Sequence, residues 1–260
     1  MDKLRVLDLF SGIGGFSLGL ERTGGFETVA FCEIEPFPRR VLAKHWPGVP
    51  CYDDVRTLTA DVLRRDGIAV DVITGGFPCQ DLSVAGKQRG MGEGTRSGLW
   101  SEIVRLVGEL RPQYVIVENV AALLVGPSER RGGWFGRVLG DLAECGYDAE
   151  WENIPASALG APHRRERVWL VAYPNCDGLE AQPSEAILFD AAGNSRLPGR
   201  LSEMGSQRIW LGPRPIGAVS MALGDGVSEW LGDVKGAGNA VVPQIPELIG
   251  HAILQARSAE

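Results

Sequence analysis

The chain up to Ala172 alternates short β-branched runs with stretches that have helical apolar spacing. This alternation is typical of a mostly parallel sheet covered by helices. The predicted strands are Arg5–Leu9, Thr28–Cys32, Val70–Thr74, Tyr114–Val117 and Val168–Ala172. The predicted helices are Phe16–Thr23, Glu35–His45, Leu99–Leu110 and Phe135–Cys145, with Gly or Pro at or near their ends.

The pattern changes between about Pro174 and Asp233, where Gly, Pro, Ser and scattered aliphatic residues show no clean period. This segment is predicted to form a separate, loop-rich lobe. Periodicity returns in Pro246–Gln255, which is predicted to be a helix because Ile249, Ile253 and Leu254 share one face.

Composition is that of an ordinary globular protein, since 44% of the 260 residues are hydrophobic and 23% are charged. No apolar run approaches the ~20 residues that a membrane span needs, and the first residues lack the apolar region of a signal peptide. We therefore expect a cytoplasmic protein that does not enter a membrane. The five cysteines include no C-x-x-C pair, so free thiols and no metal site are expected.

The net charge of -7 does not favour nucleic-acid binding, because Lys and Arg contacts to phosphates supply most non-specific affinity. Cations are nevertheless clustered, and each cluster is either solvated surface charge or a local phosphate contact. The clusters are Lys87/Arg89/Arg96, Arg130/Arg131/Arg137, Arg164/Arg165/Arg167 and Arg196/Arg200/Arg208/Arg214.

Polar and glycine-rich segments follow the predicted strands, at the edge where open parallel sheets bind ligands. Asp8–Gly15 follows the first strand and has the spacing G-x-G-G, which fits either a tight turn or a ligand-binding turn. Glu33 ends the second strand, about 20 residues downstream, as expected of an acid that binds ribose hydroxyls. Asp53 and Asp54 could accept from an adenine amino group or cap the next helix.

A cysteine and an acid follow two further strands. The segment Gly75-Gly76-Phe77-Pro78-Cys79-Gln80 places Cys79 directly after a proline, and Glu118 follows the strand Tyr114–Val117. Most single cysteines are buried and inert. A thiol beside an acid at neighbouring strand ends, however, predicts nucleophilic catalysis.

These segments, in this order, resemble the DNA cytosine-5 methyltransferases across nearly the whole chain. Asp8–Gly15 resembles the family's cofactor loop, and Gly76–Gln80 resembles its nucleophile segment. Glu33 resembles the family's ribose-binding acid, and Asp54 resembles its adenine-side aspartate. Four further segments resemble family motifs: the catalytic loop Ser83–Gly90, the acid motif Glu118–Val120, the basic motif His163–Arg167 and the C-terminal signature Gly238–Pro243.

The resemblance implies an α/β fold: a Rossmann-like, S-adenosylmethionine-dependent methyltransferase with a mixed seven-stranded sheet, helices on both faces and a small recognition lobe. The implied domains are a catalytic and cofactor-binding domain (1–173), a target-recognition lobe (174–233) and a C-terminal segment (234–260) that returns to the catalytic domain.

The implied reaction transfers a methyl group from S-adenosylmethionine to carbon 5 of a flipped-out cytosine in a specific double-stranded DNA sequence, through a covalent adduct of Cys79 with carbon 6. The implied catalytic residues are Cys79, Glu118, Arg165 and Arg167. The implied cofactor-binding residues are Phe10, Ser11, Gly12, Ile13, Gly14, Gly15, Glu33, Asp54, Pro78 and Asn239. The implied DNA-binding residues are Lys87, Gln88, Arg89, Arg196, Arg200 and Arg208.

Some features depart from the family pattern. His163 stands where glutamine is common, and the arginine-containing stretch that usually precedes the C-terminal signature is not recognisable. We expect a monomer of bacterial or phage type whose partner is a cognate restriction endonuclease. The alternatives are an RNA cytosine-5 methyltransferase, whose additional Cys-Phe-Thr segment is absent here, and a non-catalytic DNA-binding relative.

Overall fold

A mixed seven-stranded sheet forms the centre of the computed structural model, which describes residues 2–78, 99–124, 133–159, 165–175, 187 and 240–258. The strand order is β3-β2-β1-β4-β5-β7-β6. The strands are β1 (Leu4–Leu9), β2 (Phe26–Cys32), β3 (Cys51–Tyr52), β4 (Val72–Gly75), β5 (Tyr114–Val120), β6 (Tyr147–Pro155) and β7 (Glu166–Pro174).

Strands β1 to β5 pair in parallel, whereas β7 lies antiparallel to both β5 and β6. The helices are α1 (Gly15–Arg22), α2 (Pro36–His45), α3 (Ala60–Arg65), α4 (Trp100–Leu110), α5 (Gly133–Glu144) and α6 (Gln244–Ser258). Short 3-10 turns lie at Ala121–Leu124 and Ala156–Leu159. The predicted fold class, a mixed sheet with helices on both faces, is confirmed.

The two faces of the sheet bury separate apolar clusters. One contains side chains from α3, α4 and α5, among them Leu63, Trp100 and Leu142, packed on the side of β1 that carries Leu7 and Leu9. Members of the other are Leu4 and Val6 of β1, Phe16 and Leu20 of α1, Trp169 of β7, and Ile249 and Ile253 of α6. Within the described part of the chain, no helix is long and apolar enough to cross a bilayer.

The structure also contains elements that sequence periodicity did not predict. Strand β6 is missed because it lies at the sheet edge, where its exposed and partly buried positions do not alternate regularly. Strand β3 has two residues, and α3 has six, both too short for a periodic signal. The other predicted strands and helices are found with ends shifted by a few residues, as expected of pattern-based boundaries.

Helix α6 returns to the sheet and packs on α1 next to the glycine-rich turn. The residue that precedes α6 lies so close to α1 that a Cβ built at Gly19 would be 2.1 Å from the Pro243 carbonyl oxygen. Ile187, the one described residue between Asn175 and Ala240, is buried in the same cluster and donates its N–H to Glu150 Oε1 at 2.7 Å. Distant parts of the chain therefore converge on the α1 face.

Replacing Gly19 with Ala should destabilise the protein by roughly 1–3 kcal/mol, because α6 must move away from α1 to accommodate the methyl group. The matched control is Gly108→Ala in α4, where a Cβ would meet nothing within 4 Å. That change should stabilise the protein by about 0.5–1 kcal/mol, since alanine favours helix over glycine. Urea unfolding measures both, and equal effects of the two substitutions would refute the close contact.

Candidate active site at the carboxyl edge of the sheet

The glycine-rich turn that joins β1 to α1 lies at the carboxyl edge of the sheet and contains the predicted cofactor-binding residues from Phe10 to Gly15. Phe10, Gly12 and Gly14 have φ values of 52°, 53° and 86°. Gly14 precedes the first residue of α1, and a Cβ there would lie 2.6 Å from the Trp46 ring, so only glycine fits without movement. The backbone of this turn can therefore approach a ligand closely at the N-terminus of a helix.

Glu33, the predicted ribose-binding acid, closes over this turn from the end of β2. Its Oε2 accepts from Gly12 N at 2.7 Å, and its Oε1 accepts from Glu35 N at 2.8 Å. Only 7% of the residue is exposed. Each carboxylate oxygen has two lone pairs, so capacity remains for a ligand hydroxyl. The structure thus brings together the glycine turn and the acid that sequence analysis paired.

Ile34 is a candidate that sequence analysis missed. It directly follows Glu33 and is 62% exposed, which is unusual for a large aliphatic side chain. Nothing in the sequence signals that exposure, because it depends on where β2 ends relative to its neighbours. An apolar side chain at this place could cover one face of a flat ring.

Asp54 lies in the turn between β3 and α3, and its carboxylate is engaged within that turn. Oδ1 accepts from Arg56 N at 3.0 Å, and the Arg56 guanidinium binds both oxygens, with Nη2 to Oδ2 at 2.7 Å. These hydrogen bonds hold the pKa of Asp54 below its usual value. Arg105 of α4 also holds the turn by donating to the carbonyls of Val55 and Leu58 at 2.9 and 2.8 Å. These hydrogen bonds lie within the turn, and the N-cap of α3 is Thr59, so Asp54 does not cap that helix.

The segment that leads to Cys79 leaves the sheet at the end of β4, next to the end of β1. Leu9 pairs with Gly75 in the parallel register, and the buried Phe77 ring packs against Trp100 with centroids 5.4 Å apart. The structure describes this segment as far as Pro78, so Cys79 lies outside the described residues.

Asn119 fixes the same segment from the neighbouring strand. Its side chain is 2% exposed, and Nδ2 donates to the Phe77 carbonyl at 3.1 Å. Its Oδ1 accepts from Val120 N at 2.9 Å, which orients the amide. In the sequence, Asn119 is a member of the acid motif Glu118–Val120 with no predicted role of its own. Contact with a residue 42 positions away is what reveals one.

Glu118 faces the same segment. Its Oε2 lies 3.2 Å from the position that a Cβ at Gly76 would take, and Arg167 Nε lies 2.9 Å from Glu118 Oε1. Arg167 comes from β7, which is antiparallel to β5 and therefore returns its amino end to this edge. The structure thus brings together three of the predicted site residues, Glu118, Arg165 and Arg167, beside the segment that precedes Cys79.

The remaining predicted site residues lie outside the described ranges. They are Cys79, Lys87, Gln88, Arg89, Arg196, Arg200, Arg208 and Asn239. His163 is also outside them.

The model of the C-5 cytosine-specific DNA methylase family matches residues 4–202 of this chain. The chain belongs to this family. The Bacillus subtilis Type II methyltransferase M2.BsuMI is 38% identical over 203 residues, covering 76% of this chain and 48% of the relative. The Staphylococcus aureus Type II methyltransferase M.Sau3AI is 34% identical over 204 residues, covering 73% and 49% of the two chains. The chain spans about half the length of these curated relatives.

Solved structures show the same fold. A prophage-encoded E. coli protein assigned as a DNA modification methyltransferase is 28% identical with a TM-score of 0.57, over 74% of this chain and 52% of its own. Spodoptera frugiperda DNMT2 is 22% identical with a TM-score of 0.55, over 69% and 53% of the two chains. At that identity the second likeness concerns the fold alone.

Burial and charge have opposite effects on the pKa of Glu118. Burial raises its pKa above the ordinary value, because a charged carboxylate loses its hydration, while Arg167 and Arg165 oppose the rise. The pKa of Arg165 is itself lowered, first by burial and then by the neighbouring charge of Arg167. Glu118 is therefore easier to protonate than a carboxyl group in water.

Replacing Arg167 with Gln should raise the Glu118 pKa further, because the ion pair favours the charged carboxylate. A folded-state pKa above the unfolded value of 4.5 means that the folded chain binds the proton more tightly. Stability therefore falls as pH rises between those two pKa values. The variant should lose more stability over this window than the unaltered chain.

NMR titration of the Glu118 carboxyl carbon and urea unfolding at about pH 5 and about pH 8 measure these effects. The control is Arg64→Gln, which removes a fully solvent-facing pair with Asp61 whose side chains are 74% and 87% exposed. Exposed pairs contribute little, so that variant should keep the slope of the unaltered chain. An unchanged Glu118 pKa in Arg167→Gln would contradict the ion pair.

Proposed function

We propose that this chain transfers a methyl group from S-adenosylmethionine to carbon 5 of a cytosine in double-stranded DNA, with Cys79 as the nucleophile. The observation that carries the proposal is the Glu118–Arg167 pair, which lies against Gly76, three residues before Cys79. A thiol that follows this segment would share one edge of the sheet with a carboxyl group able to exchange a proton. Membership of the methylase family supports the same reaction.

The residues present fit S-adenosylmethionine. The turn from Phe10 to Gly14 combines positive φ values with the N-terminus of α1, which suits a ligand carboxylate. Glu33 stands across the turn with lone pairs for ribose hydroxyls, and the exposed Ile34 side chain would cover the adenine ring. Asp54, Pro78 and Asn239 remain proposed members of this site. Asp54 would have to exchange part of its contact with Arg56 for the adenine amino group.

When bound, S-adenosylmethionine supplies the methyl group as a sulfonium. Glu118 protonates N3 of the cytosine, which makes C6 electrophilic, and the Cys79 thiolate adds there. The electron pair of the C5–C6 bond then becomes available at C5, which would take the methyl group as the sulfur–methyl bond breaks and its electron pair stays on the sulfur. Loss of the C5 proton to a base and departure of Cys79 Sγ from C6 regenerate the double bond, and N3 returns its proton to Glu118.

Arg165 and Arg167 set the proton affinity of Glu118 and would contact the target nucleotide. Both carry positive charge towards a carboxyl group whose pKa is raised by burial. Without them, the pKa of Glu118 would rise further above its ordinary value. Asn119 contributes by holding the Phe77 carbonyl, which fixes the direction in which the chain enters Cys79.

The target base must leave the helical stack to reach this edge of the sheet, at a cost of a few kcal/mol. We assign DNA contacts around the flipped base to Lys87, Gln88 and Arg89. Readout of the sequence is assigned to the lobe 174–233, with Arg196, Arg200 and Arg208. The similar proteins named Type II methyltransferases support a cognate restriction endonuclease as the functional partner.

Replacing Cys79 with Ala should abolish methylation and leave the affinity for S-adenosylmethionine nearly unchanged, because the thiol serves the base and the glycine turn serves the cofactor. Bisulfite sequencing of DNA from cells that express the chain identifies the methylated sequence. A duplex with 5-fluorocytosine at that position should then form a stable covalent complex, since fluorine cannot leave as a cation.

The matched control is Cys145→Ala, which removes a half-buried free thiol directly after the C-terminal end of α5. This variant should methylate and be trapped like the unaltered chain. Substantial turnover by Cys79→Ala would refute the covalent mechanism, and methylation of RNA in place of DNA would refute the proposed substrate.

Exchanging residues 174–233 for the corresponding lobe of a relative should change the methylated sequence while trapping by 5-fluorocytosine is retained. The reason is that base edges must be read by side chains in a groove, away from the site of the flipped base. Bisulfite sequencing of cellular DNA measures the new specificity. An active chimera that still methylates the original sequence would show that this assignment is wrong.

A further inference from the structure

Asp8 is a fully buried carboxyl group that the proposed reaction does not use. It lies near the end of β1 with 0% of its surface exposed. Its Oδ2 accepts from Ser17 Oγ at 2.9 Å, and its Oδ1 accepts from Thr74 Oγ1 at 2.8 Å. Ser17 belongs to α1 and Thr74 to β4. One carboxyl group therefore joins a helix to a strand through both of its oxygens.

The two partners lead to different halves of the active site. Ser17 is in the first turn of α1, directly after the glycine-rich turn. Thr74 pairs with Asp8 across the sheet and precedes the segment that runs through Gly75 to Pro78. A third contact, from Ser11 Oγ to the Asp8 carbonyl at 2.5 Å, ties the turn to the same residue. Asp8 is thus shared between the proposed cofactor turn and the proposed nucleophile segment.

Stability does not account for a carboxyl group at this position. Burial raises the pKa of Asp8 to about 7, although the two hydroxyl groups oppose the rise. The unfolded chain loses this proton near the ordinary value of 3.8, whereas the folded chain keeps it to about 7. Ionisation of Asp8 therefore lowers stability as pH rises between those values. The neighbouring buried positions of β1 are aliphatic.

We propose that Asp8 is a positioning residue that fixes the cofactor turn relative to the segment before Cys79, so that methyl donor and nucleophile stay aligned. The proposal rests on the proposed function of the site. Glu33 holds the turn at its outer side by accepting a hydrogen bond from Gly12 N. Asp8 holds it from within the sheet by accepting hydrogen bonds from Ser17 and Thr74. Misplacement of reacting groups by a fraction of an ångström lowers the reaction rate, so hydrogen bonds that fix both segments favour catalysis.

Asp71 provides a matched comparison at the opposite end of the same strands. It directly precedes β4 and binds Arg5 of β1, with Nε to Oδ2 at 2.7 Å and Nη2 to Oδ1 at 2.9 Å. These hydrogen bonds hold the pKa of Asp71 below its usual value. Ionised Asp71 therefore stabilises the fold at neutral pH, and this contribution is lost as pH falls through the folded pKa. It touches neither half of the active site.

The two carboxyl groups predict opposite results for their Asn variants. Asp8→Asn should weaken binding of S-adenosylmethionine and slow single-turnover methylation, each by up to roughly tenfold, because the amide offers one acceptor oxygen where the carboxyl group offers two. Its unfolding temperature at about pH 8 should stay at or above that of the unaltered chain, since no charge is buried. Asp71→Asn should lower the unfolding temperature and leave both functional quantities unchanged.

Removing one hydroxyl at a time separates the two halves. Ser17→Ala should mainly raise the dissociation constant of S-adenosylmethionine, because it releases α1. Thr74→Val should mainly lower the single-turnover rate at saturating cofactor and DNA, because it releases the nucleophile segment. The control is Thr28→Val in β2, since Thr28 Oγ1 is buried and has no hydrogen-bond partner among the described residues. That variant should change neither quantity.

Binding is measured by calorimetry with S-adenosylmethionine alone. The single-turnover rate is measured by rapid quench with unmethylated DNA that contains the sequence identified by bisulfite sequencing. If folded Asp8→Asn binds and reacts like the unaltered chain, or if Asp71→Asn reproduces its functional losses, Asp8 is only structural and the proposal is wrong. Failure of the proposed function looks different, because the unaltered chain would then not methylate DNA at all.

Discussion

The parallel arrangement of β1, β2, β4 and β5 is the constraint on which the rest of the structure depends. Parallel strands end at the same edge of the sheet, so the segments that follow them meet there, although they are far apart along the chain. The glycine turn, Glu33, the segment that runs to Pro78 and Glu118 all occupy this edge. The antiparallel strand β7 adds the arginines, because reversing its direction brings its beginning to the same place.

Helices on both faces of the sheet keep this edge in a fixed geometry. The face covered by α1 and α6 is packed so closely that a carbonyl oxygen of the chain before α6 occupies the space where a Gly19 side chain would be. The opposite face supports the segment before Cys79 through Phe77 and Trp100, whose rings are in contact. Apolar packing therefore determines where the polar groups point, since rigid interiors transmit small displacements.

Polar groups inside the sheet divide into those that stabilise it and those that cost stability. Asp71 and Arg5 form a partly exposed pair that favours folding, and the pKa of Asp71 is correspondingly low. Burial instead raises the pKa of Asp8 and of Glu118. Both costly groups lie at the edge of the proposed active site, which is where perturbed carboxyl groups are commonly found. Their hydrogen bonds limit the cost and fix their orientation.

Much of this protein was determined by local sequence patterns. Alternation of β-branched runs with helical spacing predicts most strands and helices, because side-chain periodicity is a local property. The glycine turn, the acid at Glu33 and the segment before Cys79 were also identified correctly as strand-end elements, since turn chemistry is local as well. The edge strand β6 and the short elements β3 and α3 were missed because their local signals are weak.

Only the tertiary structure decided which of these residues touch. Several contacts join residues that are distant along the chain or lie on different elements. They are the hydrogen bond from Asn119 to Phe77, the ion pair of Arg167 with Glu118 and the two hydrogen bonds to Asp8. The exposure of Ile34 depends in the same way on where neighbouring strands end. Sequence determines which chemical groups are present and on which element each one lies. The distance between two groups, and the burial that shifts a pKa, arise only when the elements pack together.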